Sequence, residues 1–406
     1  MSEIRIPGGV TRRSFLCTAA AATLAHATMG RAQAAIAKSG RTLAYVGTYT
    51  GKAGNGEGIY LVEMNRSTGE LTQPRLVART PNPSWLTPHP TGKFLYAVNE
   101  VADYRGNSGS VSAFSIGQNG ELHAINTVSS EGAEPAHLSI DATGNFAFVA
   151  NYGGGSIAVL PIAADGSLGA AVDVHRDHGS EGSTTATNAP AGSFAISGHD
   201  APHAHMILAA PDNRFVLATD LGQDRIYVYR FDAATGKLTA AAKPYVSLPS
   251  GDGPRHLAFH PNGRWVFSIQ EEASTVARFD YEAATGRLEA RETISALPDG
   301  FAGTNFASEI LVAPNGKFLY AGNRLHDSIA VFAIGGNGVL SRVGECATLG
   351  DYPGQFRIAP GGRFLFACNK RSDCITGFRI DAGSGMPTPT GQYTGVGSPA
   401  SIAFVG

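Results

Sequence analysis

Apolar positions along the chain follow one pattern that recurs about every 50 residues. A short apolar run ends at a polar turn, an aromatic-rich apolar run follows the turn, and a third run alternates apolar with polar residues. In one copy the runs read RHLAFH, RWVFSI and TVARFDY, with the first two joined at His260-Pro261-Asn262-Gly263. Short runs and alternation with a period of two are typical of strands rather than helices. The pattern therefore predicts an all-β protein.

Six copies of the turn can be aligned, and a shorter seventh copy precedes them. The aligned turn residues are Gly92, Gly144, Asn213, Gly263, Gly316 and Gly362, and the first copy is SGRTLAYVGTY at 39–49. A polar, irregular fourth run follows the third in each full copy, as expected for an exposed outer strand. Steps of 46 to 69 residues between turns, built from strands alone, fit one four-stranded blade of a β-propeller.

The two ends of the repeat array complement each other. The first copy lacks a run before TLAYVGTY, and the sequence finishes with SPASIAFVG, which is similar to PAHLSID and PRHLAFH of other copies. We therefore expect a seven-bladed β-propeller of four-stranded antiparallel blades, with the ring closed by the C-terminal strand. A solenoid would need separately capped ends, so a final segment that completes the first unit speaks against it.

Residues 1–34 have the pattern of an export signal and precede a single propeller domain at 35–406. Arg12-Arg13, a weakly apolar Ala-rich run and a small-x-small site at Ala32-Gln33-Ala34 resemble a twin-arginine signal, whose cargo crosses the membrane already folded. The run is too short and too Ala-rich to anchor the chain, so no stable membrane insertion is expected after cleavage. We expect a periplasmic or secreted protein, with the twin-arginine export machinery as its partner in transit.

Cleavage near Ala34 would remove Cys17 and leave Cys346, Cys368 and Cys374. Three cysteines cannot form a disulfide framework, so burial must hold the fold together. Cys368 and Cys374 flank a short turn, and they could either bridge in an oxidising compartment or stay as buried thiols.

Composition excludes some partners. The 406 residues carry a formal net charge of −2 and have no polybasic segment, which argues against nucleic acid and anionic membrane surfaces. The 51 glycines and 22 prolines, without low-complexity tracts, fit a protein with many tight turns.

Two columns of equivalent positions depart from the repeat template. Eight residues before the turn residue, four copies carry Ser, Ala or Gly, whereas two carry His205 and Arg255; eight residues after it stand Glu271 and Arg324. The start of one strand meets the finish of its antiparallel neighbour, and the innermost strand of a blade lines the channel. We expect His205, Arg255, Glu271 and Arg324 to converge at one mouth of the central channel. A plain Arg255–Glu271 ion pair would leave the other two unexplained.

A neighbouring column adds His137, His256 and Glu309, which we group with His203 as supporting substrate-binding residues. Strand alternation should turn the column away from the first set, unless the strand is not yet regular at this point. The interval 174–205 also carries His175, His178 and His199, but it is rich in Gly, Ser and Thr and lacks a helical two-ligand spacing. It predicts a mobile loop beside the channel mouth rather than a metal site. No metal or other cofactor is expected.

At these residues the chain resembles the bacterial lactonase family of seven-bladed propellers, typified by a 6-phosphogluconolactonase and related to a fungal carboxy-cis,cis-muconate lactonizing enzyme. The likeness runs over roughly 42–406 and is strongest in PHAH, GPRHLAFHPNGRWVFSIQEE and SEILVAPNGKFLYAGNR. The site of that family, a histidine, two arginines and a glutamate, implies the same four residues here. The chain departs from the family at Gln270-Glu271-Glu272, where Asn-Glu-Leu is usual, and in its export signal, which is unexpected for an enzyme with a cytosolic phosphorylated substrate.

The resemblance implies hydrolysis of a sugar-type lactone, phosphorylated or not, by a carboxylic ester hydrolase. Attack on the carbonyl develops an oxyanion that a cation can stabilise, and the attacking water needs a base. Glu271 or His205 is the candidate base, and Arg255 and Arg324 would hold an anionic group or the oxyanion. Two alternatives stay open, since fold alone does not settle function: a lactonizing or isomerising enzyme acting on an unsaturated dicarboxylate, and a non-catalytic extracytoplasmic ligand-binding propeller.

Overall fold

The computed structural model describes residues 40–195 and 198–405, so the expected export signal lies outside the described residues. The described residues contain strands, one 3-10 turn at Gly51–Ala53 and no α-helix. No helix capable of crossing a membrane occurs in this part of the chain.

Seven four-stranded antiparallel sheets follow one another along the chain as the blades of a propeller. Blade 1 contains β1 (Arg41–Thr48), β2 (Ile59–Asn65) and β3 (Arg75–Ala78). Blade 2 contains β4 (Trp85–Pro88), β5 (Phe94–Tyr104), β6 (Ser108–Ile116) and β7 (Leu122–Ser129). Blade 3 contains β8 (Pro135–Ile140), β9 (Phe146–Asn151), β10 (Ser156–Pro161) and β11 (Asp173–Arg176). The short β12 (Ser193–Phe194) precedes blade 4, which contains β13 (Ala204–Ala209), β14 (Phe215–Asp220), β15 (Arg225–Asp232) and β16 (Lys237–Ser247).

The remaining blades repeat this order. Blade 5 contains β17 (Pro254–Phe259), β18 (Trp265–Gln270), β19 (Thr275–Glu282) and β20 (Arg287–Ser295). The short β21 (Gly303–Thr304) precedes blade 6, which contains β22 (Ala307–Val312), β23 (Phe318–Asn323), β24 (Ser328–Ile334) and β25 (Leu340–Ala347). Blade 7 contains β26 (Pro353–Ile358), β27 (Phe364–Asn369), β28 (Cys374–Ile380) and β29 (Pro387–Gly395), and β30 (Pro399–Val405) follows it.

The last strand closes the ring. β30 pairs antiparallel with β1, from Leu43 opposite Val405 to Thr48 opposite Pro399, and becomes the fourth strand of blade 1. The expected seven-bladed all-β propeller and its closure by the C-terminal strand are confirmed.

The aligned turn has the same backbone conformation in six blades. Its turn residue has φ between +58° at Asn213 and +77° at Gly144, the left-handed region that glycine and asparagine tolerate best. Asn213 gains a second role from its side chain, which donates to Asp141 at 3.0 Å and accepts from the amide of Ala142 at 3.0 Å. Asn213, which replaces the glycine of the other five turns, therefore links blade 4 to blade 3.

Apolar side chains from neighbouring blades pack face to face. Between blades 7 and 1, for example, Phe364 and Phe366 pack with Val46, Val62 and Ile402. Burying one such side chain stabilises the fold by about 1.5–3 kcal/mol, and similar clusters lie between the other blades. Cys346, Cys368 and Cys374 are free thiols within this scaffold, so packing rather than cross-linking holds the blades together.

A β-bulge interrupts the start of the innermost strand. In blade 5, Pro254 faces Gln270 and His256 faces Ile269, so Arg255 is an extra residue between two paired positions. The equivalent extra residue is His205 in blade 4 and Ala136 in blade 3. Bulges release a side chain from strict alternation and often lie beside active sites. The column that the sequence singled out eight residues before the turn is therefore the bulged position.

Aspartates fix the loops at the same end of neighbouring blades. Asp327, between the second and third strands of blade 6, accepts the backbone N–H of Tyr352 at 2.8 Å, where the chain passes into blade 7. Asp224 and Asp373 make the same bond to Gly253 and Ser398. Because Tyr352 has φ of +63°, this bond holds its backbone in a conformation that is unfavourable for tyrosine.

Candidate active site

A cavity of about 250 Å³ opens at one mouth of the channel. Residues from all seven blades line it. Most of them lie at the bulged position of the innermost strand or at the C-terminal end of the strand that pairs with it. The lining includes Ala400, Ser84, Ala136, His205, Arg255, Arg324 and Gly354, in order of blade number. Glu271 also lines the cavity. The structure thus brings together the four residues that the sequence predicted to converge.

Glu271 lies between two arginines from adjacent blades. Its Oε2 atom is 3.0 Å from Nε of Arg255 and 2.6 Å from a terminal nitrogen of Arg324, and each of the three side chains is only 10–12% exposed. Burial raises the pKa of Glu271, but the two arginines outweigh burial and hold that pKa below its usual value. Glu271 is therefore a permanently charged anchor and a weak proton acceptor.

Backbone carbonyls complete the coordination of both guanidinium groups. Arg255 donates to the carbonyl oxygen of Ser308 at 2.7 Å, and Arg324 donates to those of Phe306 at 3.3 Å and Ala307 at 3.2 Å. Arg324 also lies 5.4 Å from the ring centre of Tyr352. One carboxylate serves two guanidinium groups, so this face of the cavity retains one excess positive charge.

His205 is a buried, uncharged imidazole at the same cavity. Burial and the nearby charges of Arg255 and Arg324 hold its pKa well below the usual value. Its Nδ1 atom is buried and has no hydrogen-bond partner among the described residues. Edge-on contacts to the rings of Tyr152, 5.5 Å between centroids, and His256, 5.1 Å, fix its plane. Such an imidazole is uncharged at neutral pH.

The second predicted column fills the channel beneath the cavity. Trp85 of blade 2 lies 4.5 Å from the ring of His137 of blade 3 and 5.3 Å from that of His256 of blade 5, contacts that cross the channel. His256 approaches Glu309 at 3.0 Å. Of these residues His256 and Trp85 line the cavity, whereas His137 and Glu309 do not. Substrate binding by His137 and Glu309 stays a prediction that their placement does not favour.

His203 also lies behind the cavity wall. Its ring stacks on Tyr152 with centroids 4.3 Å apart, and its nitrogens contact the backbone oxygen of Tyr152 at 2.9 Å and Asp200 at 3.0 Å. Tyr152 lines the cavity and His203 does not. His203 therefore positions Tyr152 in this structure, and direct contact of His203 with substrate stays a prediction.

The long interval before blade 4 lies against the rim of the mouth. Its β12 pairs in parallel with β21, which precedes blade 6, and the amide of Ser183 donates to Ser250 at 2.7 Å. His199, whose side chain is fully buried, contacts Asp224 at 3.1 Å and Glu272 at 3.8 Å. The sequence predicted a mobile loop here, and its mobility stays a prediction; the described residues of the interval contact blades 4 and 5 and the strand β21. Among the described residues, no three His, Cys, Asp or Glu side chains cluster as a metal site.

A second polar group lines the cavity on the side of blades 1, 2 and 7, and the sequence reasoning did not select it. It consists of Tyr49, Glu100 and Lys370. Glu100 and Lys370 stand in the same repeat column as Glu271 and Arg324. Their position in that column was the signal that could have found them. The residue type in the column differs from blade to blade, however, so the sequence does not show which members face the cavity.

The buried imidazoles predict that the fold loses stability in mild acid. Burial holds the pKa values of His137, His205 and His256 well below their usual range, so the unfolded chain binds more protons once the pH falls below about 6.5. Each imidazole then costs up to about 1.4 kcal/mol of unfolding free energy per pH unit. Glu309, Asp177 and Asp252 oppose part of this loss, because burial raises their pKa values, to about 9 for Asp177 and to about 7 for Asp252. Urea unfolding from about pH 7.5 to 5.5 measures the slope.

Two variants check this assignment. His256→Gln should give a shallower dependence on pH than the wild type, while His123→Gln, on the exposed strand β7, should leave the slope unchanged. A His256→Gln protein whose unfolding free energy has the same slope with pH as the wild type would contradict the assignment.

Comparison with known proteins agrees with this architecture. A family model described as "Lactonase, 7-bladed beta-propeller" matches residues 43–404. The 6-phosphogluconolactonase of Bacillus subtilis is 34% identical over 316 residues, which are 77% of this chain and 84% of the relative. The structure of a periplasmic gluconolactonase of Pseudomonas aeruginosa superimposes with a TM-score of 0.79 at 33% identity, covering 90% of this chain and 99% of that one. A Bacteroides fragilis crystal structure gives 0.80 at 34% identity, covering 90% and 98%. The chain belongs to the lactonase family of seven-bladed β-propellers.

Proposed function

We propose that this protein is a lactonase that hydrolyses a sugar-type lactone in the cavity at the channel mouth. The observation that carries the proposal is the combination of a neutral, unpaired imidazole with a pair of arginines held by one carboxylate. The relatives whose names state lactone hydrolysis, from Bacillus subtilis and Pseudomonas aeruginosa, support it.

In the proposed reaction, His205 accepts a proton from water as the water oxygen bonds to the lactone carbonyl carbon. The carbonyl oxygen becomes an oxyanion, which Arg255 and Arg324 stabilise because their face of the cavity has excess positive charge. The tetrahedral intermediate then breaks the bond between the carbonyl carbon and the ring oxygen. The protonated imidazole returns its proton to the ring oxygen, and the product is an open-chain hydroxy acid.

Glu271 serves as the anchor of the two arginines in this scheme. The sequence left Glu271 and His205 as alternative bases, and the pKa values of both groups are lowered. His205 is favoured because Glu271 is engaged by two arginines, whereas the imidazole forms no ion pair among the described residues. Two arginines stabilise the charged form of Glu271, so the carboxylate gains little by taking a proton. His205 lines the cavity, and its uncharged imidazole has a nitrogen lone pair that can take the proton.

Glu271→Gln should lower kcat/KM for a lactone by about 10²- to 10³-fold, comparable to the loss of one oxyanion donor. The amide keeps the size of the side chain but removes the charge that orients both guanidinium groups. Steady-state hydrolysis assays measure the effect, with circular dichroism to establish that the variant is folded. Glu63→Gln, an exposed change on β2, is the matched control. Normal turnover by a folded Glu271→Gln would show that the arginines need no such anchor.

A substrate comparison tests the function itself. The protein lacking residues 1–34 should hydrolyse glucono-δ-lactone, its 6-phosphate or both, and it should not cyclise or isomerise a muconate-type dicarboxylate. Binding of lactones without turnover would favour a non-catalytic ligand-binding propeller.

We also propose a periplasmic or secreted location reached by the twin-arginine route, which cell fractionation with and without Arg12→Lys and Arg13→Lys would test.

A further inference from the structure

The cavity has two polar sides with different charge balance. On the side of blades 5 and 6, Arg255 and Arg324 share the single carboxylate of Glu271. On the side of blades 1, 2 and 7, Lys370 and Glu100 contribute one charge of each sign. The excess positive charge therefore lies where the oxyanion develops, and the other side is balanced.

Tyr49 connects the two charged residues of the balanced side. Its hydroxyl donates to the carboxylate of Glu100, at 3.2 Å from Oε1 and 3.0 Å from Oε2. Its ring lies beneath Lys370, with Nζ 3.6 Å from the ring centre. One tyrosine thus orients the carboxylate through its hydroxyl and the ammonium group through its π face.

Both charged groups keep unused hydrogen-bonding capacity. Within the described residues, neither Glu100 nor Lys370 has an ion-pair partner closer than 4 Å, and the Lys370 ammonium makes no hydrogen bond. A carboxylate has about four acceptor sites and an ammonium has three donors. Tyr49 and Ser84 use part of the capacity of Glu100, and because both charged residues line the cavity, the unused sites are available to a bound molecule. Burial raises the pKa of Glu100 and lowers that of Lys370, because neither charge is fully compensated.

The carboxylate of Glu100 supplies acceptors and the ammonium group of Lys370 supplies donors. Together they match neighbouring hydroxyl groups, each of which donates and accepts. A phosphate group fits the same place poorly, since its negative charges would face the carboxylate of Glu100. We propose that Glu100, Tyr49 and Lys370 form a subsite for the hydroxylated, uncharged tail of the lactone, which makes unphosphorylated aldonolactones the substrate class. This assignment rests on the lactonase function proposed above.

The test compares three lactones with the wild-type protein and Glu100→Gln. Wild type should prefer glucono-δ-lactone to its 6-phosphate, and to δ-valerolactone, which has no hydroxyl groups. Glu100→Gln should lose about 10- to 100-fold in kcat/KM for gluconolactone, the value of charge-assisted hydrogen bonds. Its kcat/KM for δ-valerolactone should fall much less than that for gluconolactone, and its relative use of the 6-phosphate should rise because Lys370 is no longer balanced.

Two further measurements separate binding from folding and chemistry. Competitive inhibition by 1,5-anhydroglucitol, a neutral polyol ring without a carbonyl, should weaken in Glu100→Gln and in Lys370→Met, whatever the turnover of δ-valerolactone. Glu289→Gln, an exposed change on β20, is the matched control and should behave as wild type.

The outcomes distinguish the subsite from the function on which it depends. Equal losses for gluconolactone and δ-valerolactone, or inhibition by the polyol that is the same in all variants, would overturn the subsite. Turnover of the 6-phosphate as fast as that of gluconolactone by wild type would overturn the choice of an uncharged tail. Failure of wild type to hydrolyse any of the three lactones would instead reject the lactonase function.

Discussion

Replacing His205 with alanine is expected to lower kcat/KM for lactone hydrolysis by about 10²- to 10⁴-fold, the usual contribution of a general base. The imidazole lines the cavity and is uncharged, whereas the carboxylate of Glu271 is held by two arginines. Because its pKa is held well below the usual value, wild-type activity should persist as the pH falls below about 6.5. It should decline only when the imidazole itself takes up a proton.

The pH profile makes the assignment of His205 specific. The acidic limb of the kcat/KM profile should disappear in His205→Ala, since the titrating group is gone. His205→Gln should show the same loss while preserving most of the side-chain volume, and His123→Gln should match wild type. A His205→Ala protein that keeps both its rate and its acidic limb would assign the base to another residue.

Removing the closing strand is expected to abolish the folded state. Deletion of residues 399–406 leaves β1 with an unpaired edge and removes Ile402 and Ala403 from the clusters on the two faces of blade 1. Losing two buried aliphatic side chains alone costs several kcal/mol, of the order of a whole domain's stability of about 5–15 kcal/mol. Far-UV circular dichroism and the soluble fraction after expression measure the result.

A permuted chain provides the matched control for that deletion. Residues 398–405 placed before Arg41 through a short hairpin loop keep the same strand in the same sheet. This permutant should fold and hydrolyse lactone as the wild type does. A deleted protein that remains a soluble, cooperative monomer would show that β30 is dispensable.

The repeat made most of the fold predictable. Turn residues such as Gly263 recur because the chain needs a left-handed residue there, and the apolar runs recur because every blade packs against two others. The ring closure was predictable because the first unit lacked a strand that SPASIAFVG could supply. The export signal is a separate matter, since its residues lie outside the part of the chain that the structure describes.

The site was predictable where a polar residue replaced a small one. His205 and Arg255 stood out because Ala136 and Gly354 show that the fold accepts small residues at that position. The sequence could not show that the position is a bulge, so alternation wrongly separated His256 from the cavity wall. Glu100 and Lys370 were missed because their column varies in every blade, and only the three-dimensional arrangement shows which members face inward.

The bulged position has a consequence for how this scaffold can acquire new specificities. A residue that is extra to the strand pairing can change without breaking the ladder, so the blades with a one-residue bulge each offer a position at the mouth that the fold leaves free. Ala136, Gly354 and Ala400 occupy three of these positions with little or no side chain. Larger side chains introduced there would project into the cavity from three different directions. A few substitutions at these positions can therefore change the substrate range, while the packing of the seven blades maintains the stability of the fold.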